Sequence, residues 1–85
     1  MLKIKFNKLD YLLLLKNINH LPQNINKSEE NNNIFLSGSI EDFEIILDVL
    51  GNNLMEIGMD RNDNINSIGL TIERLIDIIS DKLWG

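Results

Sequence analysis

Two long segments of this chain repeat apolar residues at helical spacing, one directly after the other. Phe43, Ile46, Leu47, Leu50, Leu54 and Ile57 form the first stripe. Ile68, Ile72, Leu75, Ile76, Ile79 and Leu83 form the second. Residues three and four apart share one face of a helix, so each stripe needs a surface to cover it. The pattern predicts a helix over Ile40–Ile57, capped by Ser39, with Glu41 and Asp42 suited to its N-terminal turn. It predicts a further helix opened by Ser67 as cap, with Lys82 suited to its C-terminus. Gly51 weakens the middle of the earlier helix by about 1 kcal/mol relative to alanine. Gly58 is the expected left-handed residue at its end. Asp60 to Asn66 is a polar connector.

The first half is less regular. Leu2, Ile4 and Phe6 alternate with Lys3 and Lys5, the pattern of a half-buried strand with a basic outer face. Asn7 is a candidate cap, with Asp10 third in the following helix. That helix is expected from Lys8 to His20, stopped by Pro22. Leu9, Leu12, Leu13, Leu14, Leu15, Ile18 and Leu21 make its apolar surface wider than one stripe. It is therefore either covered on two sides or in contact with another chain, as in a homodimer. Gln23 to Asn33 reads as a surface loop, in which Asn24-Ile25-Asn26 could add a short strand. Ile34-Phe35-Leu36 is a brief strand ended by Gly38. The expected fold is α+β and helix-dominated, in the order β-α-β-α-α. Two strands make a poor sheet, so a third must come from Gln23–Asn33 or from a partner.

The 85 residues make one expected domain, burying about 60–65% of the surface its unfolded chain exposes. The formal charge of −5 argues against a nucleic-acid partner, which would require clustered Lys and Arg. Lys3, Lys5 and Lys8 cluster at the start, while Arg61 and Arg74 stand alone. The chain has no cysteine, hence no disulfide, zinc thiolate or thiol redox chemistry. No signal peptide is read at the N-terminus. Tyr11–Leu15 is too short an apolar run to span a bilayer. A cytoplasmic location and no membrane partner are expected.

The chemistry-bearing pattern is acidic. Glu73, Asp77 and Asp81 recur at four-residue spacing, which stacks carboxylates on one helix face. Such like-charge pairs oppose the helix by roughly 0.2–0.5 kcal/mol each. Glu41, Glu44 and Asp48 repeat the theme one helix earlier. Lysines that would balance them at i,i+4 are absent. These six, with Asp60 and Asp63 at the connector, are the candidate partner-binding residues, and the favoured partner surface is basic. Glu73, Asp77 and Asp81 lie off the apolar stripe and are expected to be solvated.

Other motifs carry less. Asp60-Arg61-Asn62-Asp63-Asn64 begins like a calcium loop. Ile65 and Thr71 stand where that loop needs glycine and a bidentate glutamate, so no metal is expected. His20 has no nucleophile or orienting acid in its pattern, and no catalytic residue or cofactor is assigned. Trp84 is read as a core cap of the last helix, with an exposed anchor as the alternative.

Phe35-Leu36-Ser37-Gly38-Ser39-Ile40-Glu41-Asp42-Phe43, Asp48-Val49-Leu50-Gly51 and Gly69-Leu70-Thr71-Ile72-Glu73-Arg74-Leu75-Ile76-Asp77 together resemble small bacterial immunity proteins. These accompany contact-dependent growth-inhibition and polymorphic toxins. The resemblance spans roughly residues 34–80. It lies in size, acidity, a composition typical of AT-rich genes and the ending Ile-Glu-x-Leu-Ile-Asp. It implies a non-enzymatic protein that binds a cognate toxin domain and blocks its active site or substrate entry. A basic, nuclease-type toxin suits the charge. Two other classes remain open: an acidic nucleic-acid mimic that inhibits a DNA-processing enzyme, and a structural subunit assembling through its first helix.

Overall fold

A computed structural model describes residues 1–59, 62 and 64–85. Its elements run β1 (Leu2–Asn7), α1 (Lys8–Ile18), β2 (Asn26–Glu30), β3 (Asn33–Gly38), α2 (Ile40–Ile57) and α3 (Ser67–Trp84). The fold is α+β, but the order is β-α-β-β-α-α. The additional strand comes from Gln23–Asn33, most of which had the composition of a loop. The two-residue connection explains it. Glu30 pairs with Asn33, and the intervening Asn31 and Asn32 have φ of 51° and 68°. Positive φ at both central residues is what a type I′ hairpin turn requires, and asparagine tolerates it well.

The sheet is antiparallel, in the order β1-β3-β2. Its register with β1 runs without a bulge from Leu2↔Gly38 to Asn7↔Asn33. Side chains alternate across a sheet. Ile4, Phe6, Ile34 and Leu36 therefore share the inner face, and all four are buried. The helices cover that face with Tyr11, Leu14 and Ile18 from α1, Phe43, Ile46 and Leu50 from α2, and Ile72, Leu75 and Ile79 from α3. Ile25, just before β2, completes the core.

Caps set the helix boundaries. The Asn7 side chain accepts from the Asp10 amide at 2.7 Å. Asn19, at φ 70°, ends α1 after Ile18 rather than at His20. Pro22 thus follows a helix that a left-handed asparagine has already closed. Ser39 and Asp42 form a reciprocal capping box on α2, with bonds of 3.2 and 3.1 Å. Ser67 is not the cap of α3. Asn66 takes that place, accepting from the Gly69 amide at 2.8 Å.

Asp10 is buried, and its carboxylate pairs with the guanidinium of Arg74 from α3. Arg74 therefore does not stand alone: it ties α3 to α1. Its side chain is half exposed, so water screens part of the attraction. Arg74→Ala leaves the Asp10 carboxylate buried without a counter-charge. The expected loss is about 1–3 kcal/mol, below that of a fully buried pair. Urea unfolding of the two proteins measures it, and equal midpoints would show that the Arg74–Asp10 pair adds nothing to stability.

Candidate functional site

α2 and α3 are joined by a tight contact that involves no large side chain. Gly58 and Gly69 meet backbone to backbone. A Cβ on Gly69 would lie 2.2 Å from the Gly58 carbonyl oxygen. Gly58 has φ −87°, so it is not left-handed, and space rather than backbone freedom requires glycine there. Asn66 fastens the same corner. Its amide N–H donates to the Gly58 carbonyl at 2.9 Å, and its side-chain Nδ2 donates to the Ile57 carbonyl at 2.9 Å. Met59 and Ile65 form an isolated antiparallel bridge beside it. The two helices leave this corner as an antiparallel hairpin.

Helical spacing then places the acids. Gly58, Gly51 and Glu44 are seven residues apart and fall in one line along α2. Gly69, Glu73 and Asp77 step by four along α3. The α2 line starts from the contact, whereas the four-residue steps on α3 carry Glu73, Asp77 and Asp81 progressively round the helix from Gly69 toward solvent. Glu44 lies as far before Gly58 as Leu83 lies after Gly69, which puts it level with the end of α3. Glu41, Glu44 and Asp48 are exposed, as are Asp77 and Asp81. Glu73 is only half exposed, because its place next to the seam shields it. Asp60 and Asp63 lie outside the described residues.

Apolar side chains interrupt this acidic face. Leu70, Asp77 and Trp84 are spaced by seven and form one line on α3. Leu70 is 60% exposed and Trp84 65% exposed. Trp84 is thus exposed and not a core cap. Met55, one turn beyond Gly51 on α2, and Ile45 are exposed too. The expected stripes were slightly too long: Ile57 and Ile68, at the helix ends near the connector, are half exposed.

The charges are unevenly distributed. No Lys or Arg occurs anywhere in α2. On α3, Arg74 is engaged with Asp10, and Lys82 sits in the last turn. The remaining lysines of the described residues lie on β1, α1 and β2. Lys3 lies over the Phe35 ring at 4.7 Å, Lys27 over the Tyr11 ring at 5.2 Å, and Lys8 pairs with Glu29 at 3.1 Å. The helical hairpin is the acidic pole, and the sheet with α1 is the basic one.

Among the described residues no group of three His, Asp or Glu side chains converges as a metal site. Thr71, at the last position of the calcium-loop pattern, lies within α3 and donates its hydroxyl to the Ser67 carbonyl. His20 is exposed beyond the end of α1, and its backbone N–H donates to the Ile18 carbonyl at 2.9 Å. No described helix is long and apolar enough to cross a membrane.

What these elements define is an α+β protein that presents a mixed acidic and apolar face on two capped, core-packed helices. Compared with protein-family models, with curated proteins and with solved structures, the chain finds no significant match.

Proposed function

We propose that this protein is a non-enzymatic binding protein that neutralises a cognate bacterial toxin domain with a basic surface, such as a nuclease. The observation that carries the reading is the α2–α3 face. It presents Glu41, Glu44, Asp48, Asp77 and Asp81 to solvent, with Leu70, Met55 and Trp84 among them. Complementary charge speeds encounter with a basic partner. Exposed aromatic and aliphatic anchors supply the contacts that dominate affinity. Capped helices that share a core hold these groups in place, so little ordering cost is paid on binding. Masking a toxin's phosphate-binding surface requires this kind of acidic platform and no catalysis.

The test uses the product of the adjacent upstream gene, co-expressed and purified with this protein and assayed for toxicity on its own. Asp77→Lys with Asp81→Lys replaces two negative charges on an exposed face by two positive ones. Association at low salt is expected to slow by about tenfold or more, with a weaker salt dependence. Neutralisation of the toxin should weaken with it. Unchanged rates in a folded double variant would reject α3 as the docking face.

A second reading is self-association through α1. Leu9 is 64% exposed and Leu12 62% exposed, one turn apart on the same side. Sedimentation of the isolated protein separates the two readings, since a stable dimer without partner favours the second. An acidic nucleic-acid mimic predicts inhibition of several unrelated DNA-binding enzymes, and the toxin reading predicts inhibition of one.

A further inference from the structure

The two edges of the sheet are built differently. β2 points Lys27 and Glu29 to the helix side, because they pair with Leu36 and Ile34 of the inner face. Lys27 covers Tyr11, and Glu29 holds Lys8. Inward charges of this kind block a further strand. β1 has no such guard. Its inner residues are Leu2, Ile4 and Phe6, and it contains no proline, glycine or bulge. Among the described residues β3 is its one strand neighbour, so β1 stands at the edge of the sheet. Every other residue of β1 therefore presents its N–H and C=O along an open edge. The outer side chains of β1 are Lys5 and Lys3, both exposed; the Lys3 ammonium rests over the Phe35 ring of β3 and must swing from it to meet a strand at the edge. At its Leu2 end, a cleft of about 490 Å³ is lined by Met1, Leu2, Ser39, Ile40 and Glu41.

We propose that the open edge of β1 accepts an extended acidic segment of another protein as a fourth strand. Its carboxylates alternate on the solvent side beside Lys3 and Lys5. Its apolar residues alternate on the helix side, continuing the row of Leu2, Ile4 and Phe6. Main-chain hydrogen bonds hold such a strand, and alternate side chains select it. The lysines choose the occupant. A two-fold ladder of β1 with a second copy, centred on Lys3, Ile4 or Lys5, sets lysine opposite lysine, and like charges opposite each other are destabilising. A strand with acids at those places turns each repulsion into an attraction. The inference does not rest on the toxin reading, which concerns the opposite pole of the molecule.

The probe is an end-blocked octapeptide alternating glutamate with valine and threonine, titrated into the full chain labelled with ¹⁵N. The control peptide carries lysine in place of glutamate. The acidic peptide is expected to perturb β1 amides and slow their hydrogen exchange, and to bind about tenfold more tightly than the basic one. Lys3→Glu with Lys5→Glu should reverse the preference. Both lysines are exposed, so the double variant keeps its core, and circular dichroism verifies the fold. The proposal is overturned if neither peptide binds at millimolar concentration, or if the perturbed amides lie on β2 or α1. Indifference of binding to the double variant overturns it as well. So does a peptide-free dimer with protected β1 amides, which would assign the edge to a second copy.

Discussion

Gly69→Ala is expected to destabilise the protein by about 2–3 kcal/mol, in the range of overpacking a close contact. The new methyl group would lie 2.2 Å from the Gly58 carbonyl oxygen and 2.9 Å from Ile65 Cγ2. Neither obstacle is the free end of a long side chain, so α2 and α3 must separate at their corner. Separation also stretches the bonds from Asn66 to Gly58 and Ile57. For a domain of this size the melting temperature should fall by roughly 10–20 °C. The internal control is Gly51→Ala. Gly51 is helical, and a Cβ there meets nothing within 4 Å. That substitution should stabilise by about 0.5–1 kcal/mol, as expected where alanine replaces a mid-helix glycine. Thermal melts of the two variants should therefore move in opposite directions. If both rise, the helices do not touch at Gly58 and Gly69. On the proposed reading α2 and α3 carry the docking face together, so Gly69→Ala should also weaken binding of the proposed basic partner at temperatures where it remains folded.

Phe43→Ala should have the larger effect on stability, about 3–5 kcal/mol. The ring is fully buried in the first turns of α2, inside the cluster that joins the helices to the sheet. Removing it sacrifices apolar burial and leaves a cavity in a core of only fourteen buried apolar side chains among the described residues. The capping box at Ser39 and Asp42 fixes this end of α2, which limits collapse into the void. Small domains of this kind are stable by only about 5–10 kcal/mol, so the variant should be partly unfolded near 40 °C. Denaturant melts report the difference directly. A loss under about 1.5 kcal/mol, with unchanged cooperativity, would mean that α2 packs without this ring.

Much of this architecture is written locally. The alternation of Leu2, Ile4 and Phe6 with lysines gives β1 and its inner face, and the stripes of α2 and α3 give both long helices with their buried sides. The acids off those stripes are legible for the same reason, since periodicity alone assigns a residue to a face. Ser39 and Asn7 act as caps because their bonds reach only three residues along the chain.

The features that went the other way depend on groups distant in sequence or on a conformation that composition hides. β2 has no apolar alternation, and all five of its residues are exposed. It is a strand because Asn31 and Asn32 turn the chain tightly enough to pair it with β3. Asn66 outcompetes Ser67 as cap because its amide also reaches the carbonyls that end α2, which a serine hydroxyl could not do. Trp84 stays outside because α3 closes its buried stripe with Ile79 and Leu83, leaving the tryptophan on the line of Leu70 and Asp77. Arg74 looked solitary until α1 and α3 brought it to Asp10. The sequence by itself determined which residues are acidic, which are apolar and which helix face each occupies, because those follow from spacing along one element. Only the tertiary structure decided that α2 and α3 meet at Gly58 and Gly69 and that β1 is left with an open edge. Both depend on how separate elements pack, which spacing along one element does not specify.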